Sequence, residues 1–107
     1  MPDMAYKRVV ITEFAKTQFI DCFQYIYYEL QNPLAADSFL KDYQKTLDTL
    51  ARIADGLPLC EDPELAAYGL RLIHFRHHRY KLLYRVKSDT IIIDAVYHNL
   101  QELRLPF

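Results

Sequence analysis

Apolar residues recur along this chain with two different periods, and the change falls near residue 70. Residues 5–11, AYKRVVI, end in three β-branched positions and read as a short strand. From Thr12 to about Gln31 the apolar positions are Phe14, Ala15, Phe19, Cys22, Phe23, Ile26, Tyr27 and Leu30. Those intervals of three and four mark one face of an amphipathic helix, with Thr12 as N-cap and Glu13 near the positive end of its dipole. Asn32-Pro33 stops that helix and starts the next, because Asn caps and Pro suits the first helical position. The second stripe, Leu34, Ala35, Phe39, Leu40, Tyr43, Leu47, Leu50 and Ile53, predicts a helix to about Ala54, with Gly56 as a left-handed C-cap. So short a break predicts an antiparallel helical hairpin.

Residues 55–68, DGLPLCEDPELAAY, carry two prolines and a block of acids (Glu61, Asp62 and Glu64), and read as an exposed loop with a helical turn at Pro63–Ala67. Beyond it the period becomes two, and three strands are expected at about 69–76, 79–87 and 90–98. The last, TIIIDAVYH, is almost continuously apolar, as befits a strand inside a sheet with both faces covered. The closing NLQELRLPF reads as a helical turn or a tail. The order β-α-α-β-β-β predicts a single α+β domain spanning residues 1–107, a small twisted, mainly antiparallel sheet with the helical hairpin on one face. The first strand must return to pair with a later one, which the pattern does not single out.

Composition changes this picture little. At 107 residues, 51% hydrophobic and 25% charged, the chain suits one soluble domain with its own core. Cys22 and Cys60 have no CxxC spacing, and no secretory leader or membrane-length apolar run stands out, so a reducing cytoplasm is expected and no membrane partner. No cofactor or metal motif is present in the sequence, and the adjacent His77-His78 lack metal-ligand spacing.

Charge changes it more. The net of −1 conceals a segregation: residues 1–70 carry six basic and eleven acidic side chains, whereas Arg71–Lys87 holds six of the thirteen Lys and Arg, three of the four His, and no acid. Cations gathered in one short segment suit an anionic partner held at one site. With His77-His78 as a hairpin tip, Arg76 faces Arg79, His74 faces Lys81, Leu72 faces Leu83 and Leu70 faces Arg85. The opposite face pairs Phe75 with Tyr80, Ile73 with Leu82 and Arg71 with Tyr84. Like charges set opposite one another destabilise a hairpin unless an anion joins them, although a charged edge also protects a sheet from aggregation. His-His is poor chemistry for a two-residue turn, and a loop of three to five residues would put Arg79 inside it. With Ser88-Asp89 as the next turn, His98 falls opposite Arg79, Val96 opposite Lys81 and Asp94 opposite Leu83, all on the cationic face.

These segments together, YIYYELQNPLAADSFL, LRLIHFRHHRYKLLYRV and TIIIDAVYHN, resemble the RelE/ParE superfamily of toxins from bacterial type II toxin–antitoxin (plasmid stabilisation) modules. The resemblance covers nearly the whole chain and implies a twisted sheet with two helices on one face and a concave basic face on the other. It implies a cognate antitoxin, whose most useful element would be acidic and apolar. It also implies one of two targets. RelE-like toxins enter the ribosome and cut mRNA there, without a metal, as endoribonucleases (mRNA interferases); ParE-like toxins poison DNA gyrase. The first activity needs a base, an acid and cations around a crowded phosphorane. On that expectation His98, His74 and Lys81 are the catalytic candidates, and Arg76, Arg79 and Arg85 bind the phosphate. Translation inhibition by mRNA cleavage is thus the leading expectation, with gyrase inhibition without chemistry, or a degenerate non-toxic member, as alternatives. The near-neutral charge and the NP-x-AA hairpin lean towards the ParE side.

Overall fold

The computed structural model describes residues 7–101. Strand β1 (Arg8–Ile11) leads into helix α1 (Glu13–Gln24), which ends in a π-helical turn, Tyr25–Glu29. Helix α2 (Pro33–Ile53) follows, closed by a 3-10 turn at Ala54–Gly56. A short helix α3 (Pro63–Ala67) precedes strands β2 (Arg71–His74), β3 (Tyr80–Lys87) and β4 (Thr90–His98). This is the expected α+β order. Residues 5 and 6 of the first expected strand, and the tail beyond Gln101, lie outside the described residues.

The helix starts use the capping chemistry their sequences carry. Thr12 Oγ1 accepts from the Ala15 amide at 3.1 Å, Asn32 Oδ1 from the Ala35 amide at 3.0 Å with Pro33 in the first turn, and Asp62 Oδ1 from the Glu64 amide at 2.8 Å. The ends depart from expectation. The first helix does not continue as α to Gln31: the Leu30 amide bonds back to the Tyr25 carbonyl at 3.0 Å, the wider i→i+5 step. Gln31, at φ 48°, then turns the chain. Gly56 is no left-handed cap; it lies in the 3-10 turn, and the left-handed glycine is Gly69, at φ 77°, where the chain leaves α3.

The sheet order is β1-β4-β3-β2, with β1 parallel to β4 and the other pairs antiparallel. Strand β4 is therefore interior, as its apolar run implied, and Ile91, Ile93, Ala95, Val96 and Tyr97 are buried. The main core lies between the sheet and the helices, around Phe39, Leu50, Leu82, Tyr84 and Ile93. Phe39 sits at its centre, stacked on Phe19 and Phe75 with ring centroids 5.2 and 5.5 Å away. A second, smaller cluster of Leu70, Leu83, Ala95 and Tyr97 covers the opposite face, with Cys60 and Leu65 from the α3 region packed on it. That face is thus partly apolar, with Leu70, Leu72 and Leu83 on it as the alternation placed them.

The segment after α2 is fastened to the sheet by polar groups of β2 and β3. The Arg71 guanidinium donates to the carbonyls of Leu57 and Asp55, and the buried Tyr84 hydroxyl donates to the Ala54 carbonyl at 2.9 Å. The Ala54 carbonyl also receives the Leu57 amide at a long 3.5 Å, so the tyrosine hydroxyl is the closer of these two donors at this helix end.

Candidate functional site

The cationic hairpin forms in the register that its alternation predicts. Arg71 pairs with Tyr84, Leu72 with Leu83, Ile73 with Leu82 and His74 with Lys81. The strands stop short of the tip, however, because Phe75–Arg79 form a loop, closed by the Phe75 amide on the Tyr80 carbonyl at 2.9 Å. Arg76 and Arg79 are therefore exposed loop residues and do not face each other across a ladder.

What shapes this loop is Asp42 of α2. Its carboxylate accepts from the amides of Arg76 (3.2 Å) and His77 (2.9 Å) and lies 2.7 Å from His78 Nδ1. Burial alone would push the Asp42 carboxyl up, yet the His78 contact and the two backbone donors together hold it below its ordinary value. The imidazole of His78 also meets the ring of Phe39 edge-on, at 5.9 Å. A turn that lacks Gly or Asn is thus made by a buried carboxylate from another element. The sequence carries a trace of this residue: Asp42 lies three after Phe39 and four before Thr46, on the buried stripe of α2.

The largest correction concerns β4. From Lys87 to Tyr84 the β3–β4 ladder follows the expected register, Lys87 with Thr90 through Tyr84 with Ile93. A bulge then intervenes, and Leu83 pairs with Ala95, Lys81 with Tyr97 and Tyr80 with His98. Asp94 is the extra residue. A one-residue slip exchanges the two faces of everything beyond it. His98 therefore shares the helix-facing side with Tyr80, at ring centroids 5.0 Å apart and nearly perpendicular. His74 and Lys81 point to the other side, where Tyr97 is the cross-strand neighbour of Lys81.

Around His98 a pocket of about 390 Å³ is lined by Asp21, Cys22, Tyr25, Tyr80 and Gln101. Burial pushes the Tyr80 hydroxyl up to about 12 and the Cys22 thiol up to about 11. Both are neutral at physiological pH, so Cys22 is no thiolate nucleophile. His98 Nδ1 accepts from the Leu100 amide at 3.1 Å, which leaves Nε2 as the ring nitrogen that carries the proton in the neutral tautomer.

Arg85, a candidate phosphate ligand, lies on the same side of the sheet as Lys81, but its Nε and Nη2 donate to the two oxygens of Asp94 at 2.6 and 2.9 Å. Asp94 is buried, and this pair raises the guanidinium further. Asp94 therefore holds a cation in place; it orients no base. The sequence candidates thus separate into three places: His74 and Lys81 on one face with the Arg76 and Arg79 loop beyond them, Arg85 locked on Asp94, and His98 on the helix side. Among the described residues, no group of three His, Cys, Asp or Glu is placed to hold a metal ion, and no helix is long and apolar enough to cross a membrane.

In overall fold the chain is similar to one from the chromosomal ParDE TA system of P. aeruginosa, with a TM-score of 0.71, 19% identity, and coverage of 88% of this chain and 97% of that one. No curated protein matches it. A family model, described as the ParE toxin of the type II toxin-antitoxin system, parDE, matches residues 9–103. With nearly its whole length matched, from β1 through the bulged β4, the chain belongs to the ParE toxin family of type II toxin–antitoxin systems.

Proposed function

We propose that this ParE-family toxin inhibits DNA gyrase by binding to it, without covalent chemistry, and is neutralised by a cognate ParD-like antitoxin. The observation that carries this reading is the bulge at Asp94. Proton-transfer catalysis needs a base and an acid within reach of one phosphate, and the bulge puts His98 on the opposite side of the sheet from His74 and Lys81. The locking of Arg85 on Asp94 supports the same reading. An inhibitor that acts by binding needs surface instead, and Tyr25, Tyr28, Leu30 and Leu34 at the turn of the helical hairpin are large, apolar and exposed. An antitoxin with an acidic, partly apolar segment would suit these residues together with the cationic loop.

The experiment is a pair of assays on the purified chain: DNA supercoiling by gyrase, and cell-free translation with mapping of mRNA ends. Inhibited supercoiling with intact mRNA is the expected result. Cleaved mRNA with unaffected supercoiling would overturn it in favour of the second reading, ribosome-dependent cleavage. One observation favours that alternative: His74 and Lys81 are cross-strand neighbours on an accessible face, with Arg76 and Arg79 on the adjoining loop. In it His74 and Lys81 carry the chemistry, Arg76 and Arg79 hold the phosphate, and His98 contributes only from the far side.

A further inference from the structure

We infer that the cleft between α2 and the free edge of β2 is a binding site for a phosphate ester, carried by a nucleotide or by a nucleic-acid strand. Strand β2 is the outer strand of the sheet, and beside it lies a cleft of about 430 Å³, within the size range of small-ligand sites. Its basic side chains come from three elements. Lys41 and Lys45 are one helical turn apart on α2, Arg76 and His77 belong to the loop, and His74 ends β2. Folding has therefore gathered the permanent charges of Lys41, Lys45 and Arg76, up to 35 residues apart in the chain.

The carboxylates nearby compensate this charge only in part. Asp42 is the one acid lining the cleft, and three donors already engage it: two loop amides and His78. Asp37 pairs with Lys41 at 3.0 Å, both well exposed, so this pair is weak. Among the described residues, Lys45 and Arg76 make no ion pair. Guanidinium and ammonium groups that converge on a concave surface concentrate positive potential and match phosphate oxygens, Arg in a fork and Lys as a point charge. The Asp42 anchor fixes the loop beforehand, so little ordering is left for the ligand to impose.

This site goes beyond the gyrase reading and is tested without gyrase. Amide NMR spectra of the whole chain are recorded on titration with ATP and, separately, with a short DNA duplex. The expected result is saturable shifts at Arg76 and His77 with at least one of them, weakened about tenfold by Lys45→Ala and by Arg76→Ala, but not by Lys16→Ala on α1. ATP alone active assigns a free nucleotide. The duplex alone active, with log affinity falling by about 0.9 per neutralised phosphate as log salt rises, assigns nucleic-acid phosphates. No shift at these amides with millimolar ATP or with the duplex overturns the site, as does binding that both cleft substitutions leave unchanged.

Discussion

The Asp42 carboxylate of α2 lies 2.7 Å from Nδ1 of His78, at the tip of the β2–β3 hairpin, and also receives the amides of the two preceding residues. One buried acid thus joins the helical layer to the loop that carries the exposed Arg76 and Arg79. Replacing it removes the acceptor for two backbone donors and an imidazole. Asp42→Ala is expected to lose about 2–3 kcal/mol in chemical denaturation. It should also broaden the amide signals of Arg76 and His77, whereas Asp42→Asn, which keeps one acceptor, should lose less.

The same contact sets an acid limb. The folded Asp42 value is lowered relative to the unfolded chain, so its contribution is present above the unfolded carboxylate range and is lost as pH falls through the folded value. Stability of the wild type should decline below about pH 4, and Asp42→Asn should flatten that decline. Thermal unfolding scans from neutral pH to pH 2 measure both.

An alkaline limb follows from the tyrosines. Burial raises Tyr43, Tyr80 and Tyr84 to about 12, so the unfolded chain loses these protons first. Their stabilising preference is intact below the unfolded value of about 10 and is lost as pH rises towards 12. Ultraviolet titration of phenolate should show these three ionising together with unfolding.

The Arg85–Asp94 pair predicts an asymmetry. Asp94 is 3% exposed and Arg85 33% at the side chain, so removing the arginine strands a buried charge, while removing the acid leaves a cation able to reach water. Arg85→Ala is expected to cost about 3 kcal/mol and Asp94→Ala about 1 kcal/mol. If Arg85→Ala instead keeps full stability and loses toxicity, the arginine serves the target and not the fold.

At the centre of the main core, Phe39→Ala should cost about 3–5 kcal/mol, enough to unfold much of a domain of this size. Tyr84→Phe removes only the hydroxyl that serves the Ala54 carbonyl, and should cost about 1–2 kcal/mol. Urea denaturation of the two variants separates packing from hydrogen bonding in the same core.

Much of this protein was legible before its fold was known. The two long helices follow from stripes at intervals of three and four and from Thr12 and Asn32 as caps, all of which act within one turn of chain. The β2–β3 register agrees with the alternation of Ile73 and Leu82 against His74 and Lys81, although the length of the loop at His77-His78 left the partners open in the sequence. The interior position of β4 follows from its unbroken apolar run. That same run concealed the bulge: with no alternation between Ile91 and Tyr97, nothing local marks where Asp94 drops out of the ladder. The parallel return of β1 beside β4, the loop anchored by Asp42 and the side of the sheet on which His98 emerges were decided by the tertiary structure. Each depends on partners distant in sequence: β1 lies some eighty residues from β4, Asp42 some thirty-five from His77, and Asp94 finds its charge partner only across the strand pair. Periodicity reports what one segment buries; which groups meet is settled by how the segments pack.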